Sequence, residues 1–144
     1  MQKKDSQIQM RLLSVNEVSF MISSNLVDEK TSSNDIQLGF ANQIEAENDR
    51  DILSLNFGVK YEVKGKTALE TMYKFTFEIV NLNNYIIKDD ENSIKINYIM
   101  PHLLNVAVGT MRGIIVVKTA GTQLSKYPLP LINANFLESN LSSK

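Results

Sequence analysis

Residues 53–79, LSLNFGVKYEVKGKTALETMYKFTFEI, decide the architecture. Leu53, Leu55, Phe57, Val59, Tyr61 and Val63 alternate with Ser54, Asn56, Gly58, Lys60 and Glu62. A period of two gives a strand one apolar and one polar face. After Lys64-Gly65-Lys66 the alternation resumes, with Leu69, Thr71, Tyr73, Phe75, Phe77 and Ile79 on one face and Glu70, Lys74, Thr76 and Glu78 on the other. A glycine between two such runs predicts a hairpin.

Working outward, Ile36, Leu38, Phe40 and Ile44 alternate with Gln37, Gly39, Gln43 and Glu45, and the polar run Glu47 to Asp51 supplies a turn into the next strand. A further strand is expected within Ile8 to Ile22, where Val18, Phe20 and Ile22 share a face; the break in register near Ser14 predicts a bulge. The polar connection Ser23 to Asp35 is long enough to cross the sheet, so strand order need not follow chain order. Each strand is polar on one side, and that side of the sheet must meet water or a partner while the other takes the core.

Beyond a polar turn at Lys88 to Asn92 the period changes. Met100, Leu103, Leu104, Ala107, Met111, Ile114 and Ile115 recur at helical spacing behind Pro101, a residue suited to a first helical turn. Gly109, Gly113 and the β-branched run Ile114 to Val117 weaken this helix and leave its C-terminal limit to tertiary packing. Gly121 ends the element, Pro128 and Pro130 stiffen a loop, and Ile132, Phe136, Leu137 and Leu141 predict a short second helix. Strands followed by helices, without alternation, predict a single α+β domain over residues 1–144: a four-stranded antiparallel sheet, with two C-terminal helices packed on its apolar face.

The 144 residues carry 15 basic and 16 acidic side chains, a formal charge of -1. No net positive field is available to displace counterions from phosphates, so nucleic acid is not the expected partner. There is no cysteine, which removes disulfides, thiol catalysis and thiolate metal sites and fits a cytoplasmic location. The opening MQKKDSQIQM has no apolar stretch behind its lysines, and the apolar region from Ile99 to Val117 is broken by His102, Asn105 and Arg112. Neither a signal peptide nor a membrane span is expected.

Candidates for chemistry are few. The single histidine, His102, sits at a helix start beside Pro101 with no nucleophile motif around it, and reads as structural or surface-lying. The acidic run Asp89-Asp90-Glu91 lacks the spacing and glycine of a calcium loop, and Lys64-Gly65-Lys66 lacks phosphate-loop spacing. No catalytic, metal or cofactor residues are assigned. Glu62, Glu70 and Glu78 with Lys60 and Lys74 form either a charged docking surface or a solvated sheet face. The loop Leu124 to Leu131 is unusually apolar, and must tuck into a core or line a groove.

The stretch 101–137, PHLLNVAVGTMRGIIVVKTAGTQLSKYPLPLINANFL, resembles the corresponding region of the bacterial export chaperone SecB. A proline-led helix, a glycine-containing connection with proline near its end, and an asparagine- and phenylalanine-rich start to the last helix fall on Pro101, Gly121, Pro130, Asn133 and Phe136. The resemblance implies a long crossover between the first two strands, dimers or tetramers, and unfolded polypeptides as clients. It implies a client groove at Leu26, Val27, Phe40, Leu124, Tyr127, Leu129 and Leu131. It extends to the translocase motor SecA as a partner, although the N-terminal portion here is not strongly acidic and the polar sheet face mixes lysine with glutamate.

The resulting expectation is a non-enzymatic, ATP-independent chaperone that holds non-native chains, in protein export or in a toxin–antitoxin pair. Two alternatives belong to other classes: an oligomeric assembly or adaptor subunit, and a small-ligand binder or enzyme using Tyr73, His102 and Arg112.

Overall fold

A computed structural model of the chain describes residues 8–88, 94–96 and 98–131. Four strands form one antiparallel sheet: β1 (Met10–Ile22), β2 (Ile36–Glu47), β3 (Ile52–Val63) and β4 (Lys66–Ile79). Their spatial order is β1-β4-β3-β2, so the chain crosses from one edge of the sheet to the other between its first two strands. A small two-stranded sheet follows, β5 (Ile86–Lys88) with β6 (Ile94–Ile96), and then the helix α1 (Met100–Lys118).

The β3–β4 hairpin turns through Lys64 and Gly65, both with positive φ (54° and 79°). A two-residue turn with positive φ at both positions matches the twist of the strands it joins. The register pairs Leu53 with Phe77, Leu55 with Phe75, Phe57 with Tyr73 and Tyr61 with Leu69. All eight side chains are buried, six of them completely, and they form the centre of the core. On the opposite face Gly58 leaves room for the Met72 side chain, whose Cε would lie 3.0 Å from a Cβ added there.

Helix α1 seals the apolar face with Leu103, Leu104, Ala107, Val108, Met111 and Ile115. By length and composition alone α1 could cross a membrane, but its buried stripe is packed into this core. Its C-terminal limit falls at Lys118, where buried Thr119 donates its hydroxyl to the Ile115 carbonyl at 2.7 Å and Gly121, at φ 85°, turns the chain away. Among the described residues there is one α-helix. The second helix expected over Ile132 to Leu141 lies outside them, as do four residues, 89–92, of the turn expected from Lys88 to Asn92.

The expected bulge near Ser14 is present between Leu12 and Ser14, and a second falls between Glu17 and Ser19. At the far end of the sheet Asp51, at φ 57°, closes the β2–β3 turn. Its carboxylate accepts from the backbone amides of Asn81 (3.3 Å) and Leu82 (3.1 Å), while its carbonyl accepts from the Ile79 amide at 2.9 Å. One residue therefore ties two turns together. Asp51→Ala should destabilise the fold by about 1–3 kcal/mol through loss of this charged acceptor. Urea unfolding of the two proteins measures the difference.

Candidate functional site

The crossover and the apolar loop meet at the β2 edge. The crossover is braced by its own turns: Asp28 accepts from the Lys30 amide at 2.9 Å, and Asp35 accepts from the Ser32 amide at 2.9 Å. The first of these bonds is the main reason the Asp28 carboxyl is held below its ordinary pKa. From the other side, Tyr61 donates its hydroxyl to the Tyr127 carbonyl at 2.7 Å, and Tyr127 donates its own to the Thr31 carbonyl at 2.5 Å. Arg112 of α1 reaches the same loop, donating from Nε to the Leu129 carbonyl and from Nη2 to the Pro130 carbonyl, both at 2.9 Å. A guanidinium spanning two successive carbonyls fixes the course of the loop.

These contacts hold open a groove of about 410 Å³ lined by Ser33, Ile36, Leu38, Tyr61, Lys126, Tyr127, Pro128 and Pro130. Its lining is mainly apolar, with the Lys126 ammonium as the charged group. The groove borders β2, whose outer edge carries no paired strand among the described residues. Unpaired amides and carbonyls along such an edge are a template for another extended chain. β2 pairs with β3 over twelve consecutive residues without a register shift and contains neither proline nor lysine. The opposite edge, β1, is interrupted by its two bulges, which break the continuity that a pairing strand needs.

The seven groove residues implied by the resemblance divide into three groups. Tyr127 lines the groove, and Leu131 lies just beyond Pro130 with 90% of its surface exposed. Val27, Leu124 and Leu129 are buried in the core instead, where they anchor crossover and loop from beneath. Leu26 packs partly buried against that core, and Phe40 stacks on Phe57 with ring centroids 6.1 Å apart. Ile36, Leu38 and Tyr61 line the groove without having been expected there, whereas Pro128 and Pro130 belong to the loop expected to enter a core or line a groove. For Ile36 and Leu38 the signal was there: apolar alternation on a strand that a long crossover places at an edge.

Tyr73, His102 and Arg112 do not converge. Tyr73 donates its hydroxyl to Glu17 at 2.7 Å, Arg112 holds the loop, and His102 is exposed at the start of α1. Glu17 also pairs with Lys118 at 2.9 Å, and these two bonds, Lys118 first, lower its pKa. Among the described residues no cluster of three or more histidine, aspartate or glutamate side chains is placed to hold a metal ion. The polar face of the sheet mixes charges, with Arg11–Glu78 at 2.8 Å and Lys60–Glu62 at 3.0 Å.

No known family model matches the chain, and no curated protein sequence matches it. Among solved structures, the chain is similar to a SecB-like chaperone of Mycobacterium tuberculosis, determined in complex with a ChAD peptide from the HigA1 antitoxin. The TM-score is 0.49 at 9% sequence identity, over 85% of this chain and 88% of that chain.

Burial pushes the Tyr61 hydroxyl up to about 12, and burial together with Glu17 does the same to Tyr73. A tyrosine whose folded pKa exceeds its unfolded value near 10 stabilises the fold below that value, and the contribution is lost as pH rises from 10 towards 12. The alkaline fall in stability should be shallower in Tyr61→Phe and Tyr73→Phe than in the parent. Urea unfolding across that range, with ultraviolet titration of the phenolates, measures it.

Proposed function

We propose that this protein is a polypeptide-binding module that holds extended apolar segments of other chains along the β2 edge and in the adjoining groove. One observation carries this reading: an uninterrupted twelve-residue edge strand lies beside an apolar groove whose far wall is a proline-bearing loop. Backbone pairing along an edge is indifferent to sequence, while a groove for alternate side chains selects apolar ones. The combination suits non-native chains, which expose both features before they fold. The mechanism uses no nucleotide, and the chain then acts as a holding chaperone rather than an enzyme. Service to an export pathway or to a toxin–antitoxin pair is compatible with it.

Leu38 is a direct probe because it stands on the groove wall and is 37% exposed. Leu38→Lys should weaken binding of an extended apolar peptide about tenfold while leaving thermal stability nearly unchanged. Fluorescence anisotropy with a labelled peptide reads the first and calorimetry the second. Suppression of aggregation of a slowly folding client at stoichiometric concentration should fall in parallel. Unaltered peptide binding in the variant would remove the groove from the mechanism.

A second reading, homo-oligomeric assembly, draws on the outer face of α1. Val116 and Val117 are exposed, and a Cβ added at Gly109 or Gly113 would meet nothing within 4 Å. Glycines in the middle of a helix cost about 1 kcal/mol each, and among the described residues no contact repays them. Packing of this face against another copy accounts for both features. Val117→Glu should then shift the sedimentation coefficient towards the monomer, whereas an unchanged value would leave the face solvated.

A further inference from the structure

The geometry points to a direction-selective groove: the β2 edge accepts an extended segment antiparallel to itself, basic towards its N-terminus and acidic towards its C-terminus. This inference rests on the polypeptide-binding reading and specifies the chemistry and polarity of the occupant.

The observation is the distribution of charge along β2. At its C-terminal end Glu45 and Glu47 lie on the polar face, followed by Asp49 in the turn. Arg50 neutralises Glu47 at 2.9 Å, and Asp51 is engaged by the Asn81 and Leu82 amides. Glu45 and Asp49 make no ion pair among the described residues. This end of the edge is therefore acidic. Between the ends, Gln37, Gly39, Ala41 and Gln43 present no charge on the same face.

The N-terminal end differs. Lys126 lines the groove beside Ile36 and makes no ion pair among the described residues, and Lys64 stands at the hairpin tip just beyond Val63, the partner of Ile36. Of the carboxylates nearby, Glu62 pairs with Lys60 at 3.0 Å, and Asp28 and Asp35 stay ionised on their own turns, where Asp28 offsets Lys64. Glu29 and Lys30 are exposed on the crossover and offset one another in charge. Within the groove itself the charged side chain is the Lys126 ammonium.

An added strand that continues the antiparallel sheet runs opposite to β2, with its N-terminus beside Glu45 and its C-terminus beside Lys126. Alternate side chains then enter the groove and the others lie on the polar face. The complementary segment carries lysine or arginine on the outward positions of its first half, apolar residues on the inward positions, and an acidic residue at its groove end. Reversal of these charges brings like charges together at both ends.

The test uses two ten-residue peptides of identical composition and apolar alternation, differing only in exchange of the terminal lysine and glutamate. Each is titrated into the full chain at low and high salt. The basic-first peptide should bind about fivefold tighter at low salt, with the gap closing as salt rises, because each exposed ion pair contributes little and is screened. In the double variant Glu45→Lys, Lys126→Glu the preference should reverse. Equal affinities in the parent would overturn the directional proposal and leave the groove standing. Failure of both peptides to bind would remove the groove reading and this proposal with it.

Discussion

Burial of one face of the β3–β4 hairpin under α1 is the constraint on which the molecule depends. The two central strands contribute Leu53, Leu55, Phe57, Tyr61, Leu69, Phe75 and Phe77, all within 1% of complete burial, and α1 adds Leu103, Leu104, Met111 and Ile115 above them. Removing apolar area from water is the main favourable term available to a chain without disulfides or metal clusters among its described residues. Once those strands are central, β1 and β2 are left as edges, and their different treatment follows. β1 is interrupted by two bulges and tied to α1 through Glu17 and Lys118, whereas β2 keeps an unbroken register and has no strand on its outer side among the described residues.

The groove is a consequence of the same arrangement. The loop after α1 returns over the β2 side of the sheet because Leu124 and Leu129 are drawn into the core, and Arg112 fixes its last residues. Pro128 and Pro130 cannot donate backbone hydrogen bonds and hold their φ angles, so this wall keeps its shape without secondary structure. Tyr61 and Tyr127 link sheet, loop and crossover through carbonyl oxygens. The groove is thereby shaped by main-chain contacts more than by the side chains exposed in it.

Much of this was legible in the residues. The hairpin, the Ser14 bulge and the α1 stripe follow from periods of two and 3.6 with their interruptions, which are local signals, while the length of the Ser23 to Asp35 connection allowed a crossover whose edge-to-edge course only the structure gives. The second bulge at Val18 left no mark, because Val18, Phe20 and Ile22 still alternate on either reading of the register. The β5–β6 pair was missed because three-residue strands carry too few residues to show a period. Within the site, the apolar loop stood out, but which of its leucines face inward depends on contacts with β3 and the crossover, far away in sequence. Val27, Leu124 and Leu129 were therefore assigned to the surface that they support from below.

The pairing of β1 also sets an order of events during synthesis. Met10 pairs with Ile79 and Ile22 with Leu69, so the first strand made must wait for the fourth before it has a neighbour. β2, β3 and β4 can zip up through short turns as they emerge, while β1 closes a loop of most of the sheet's length and gains nothing until it does.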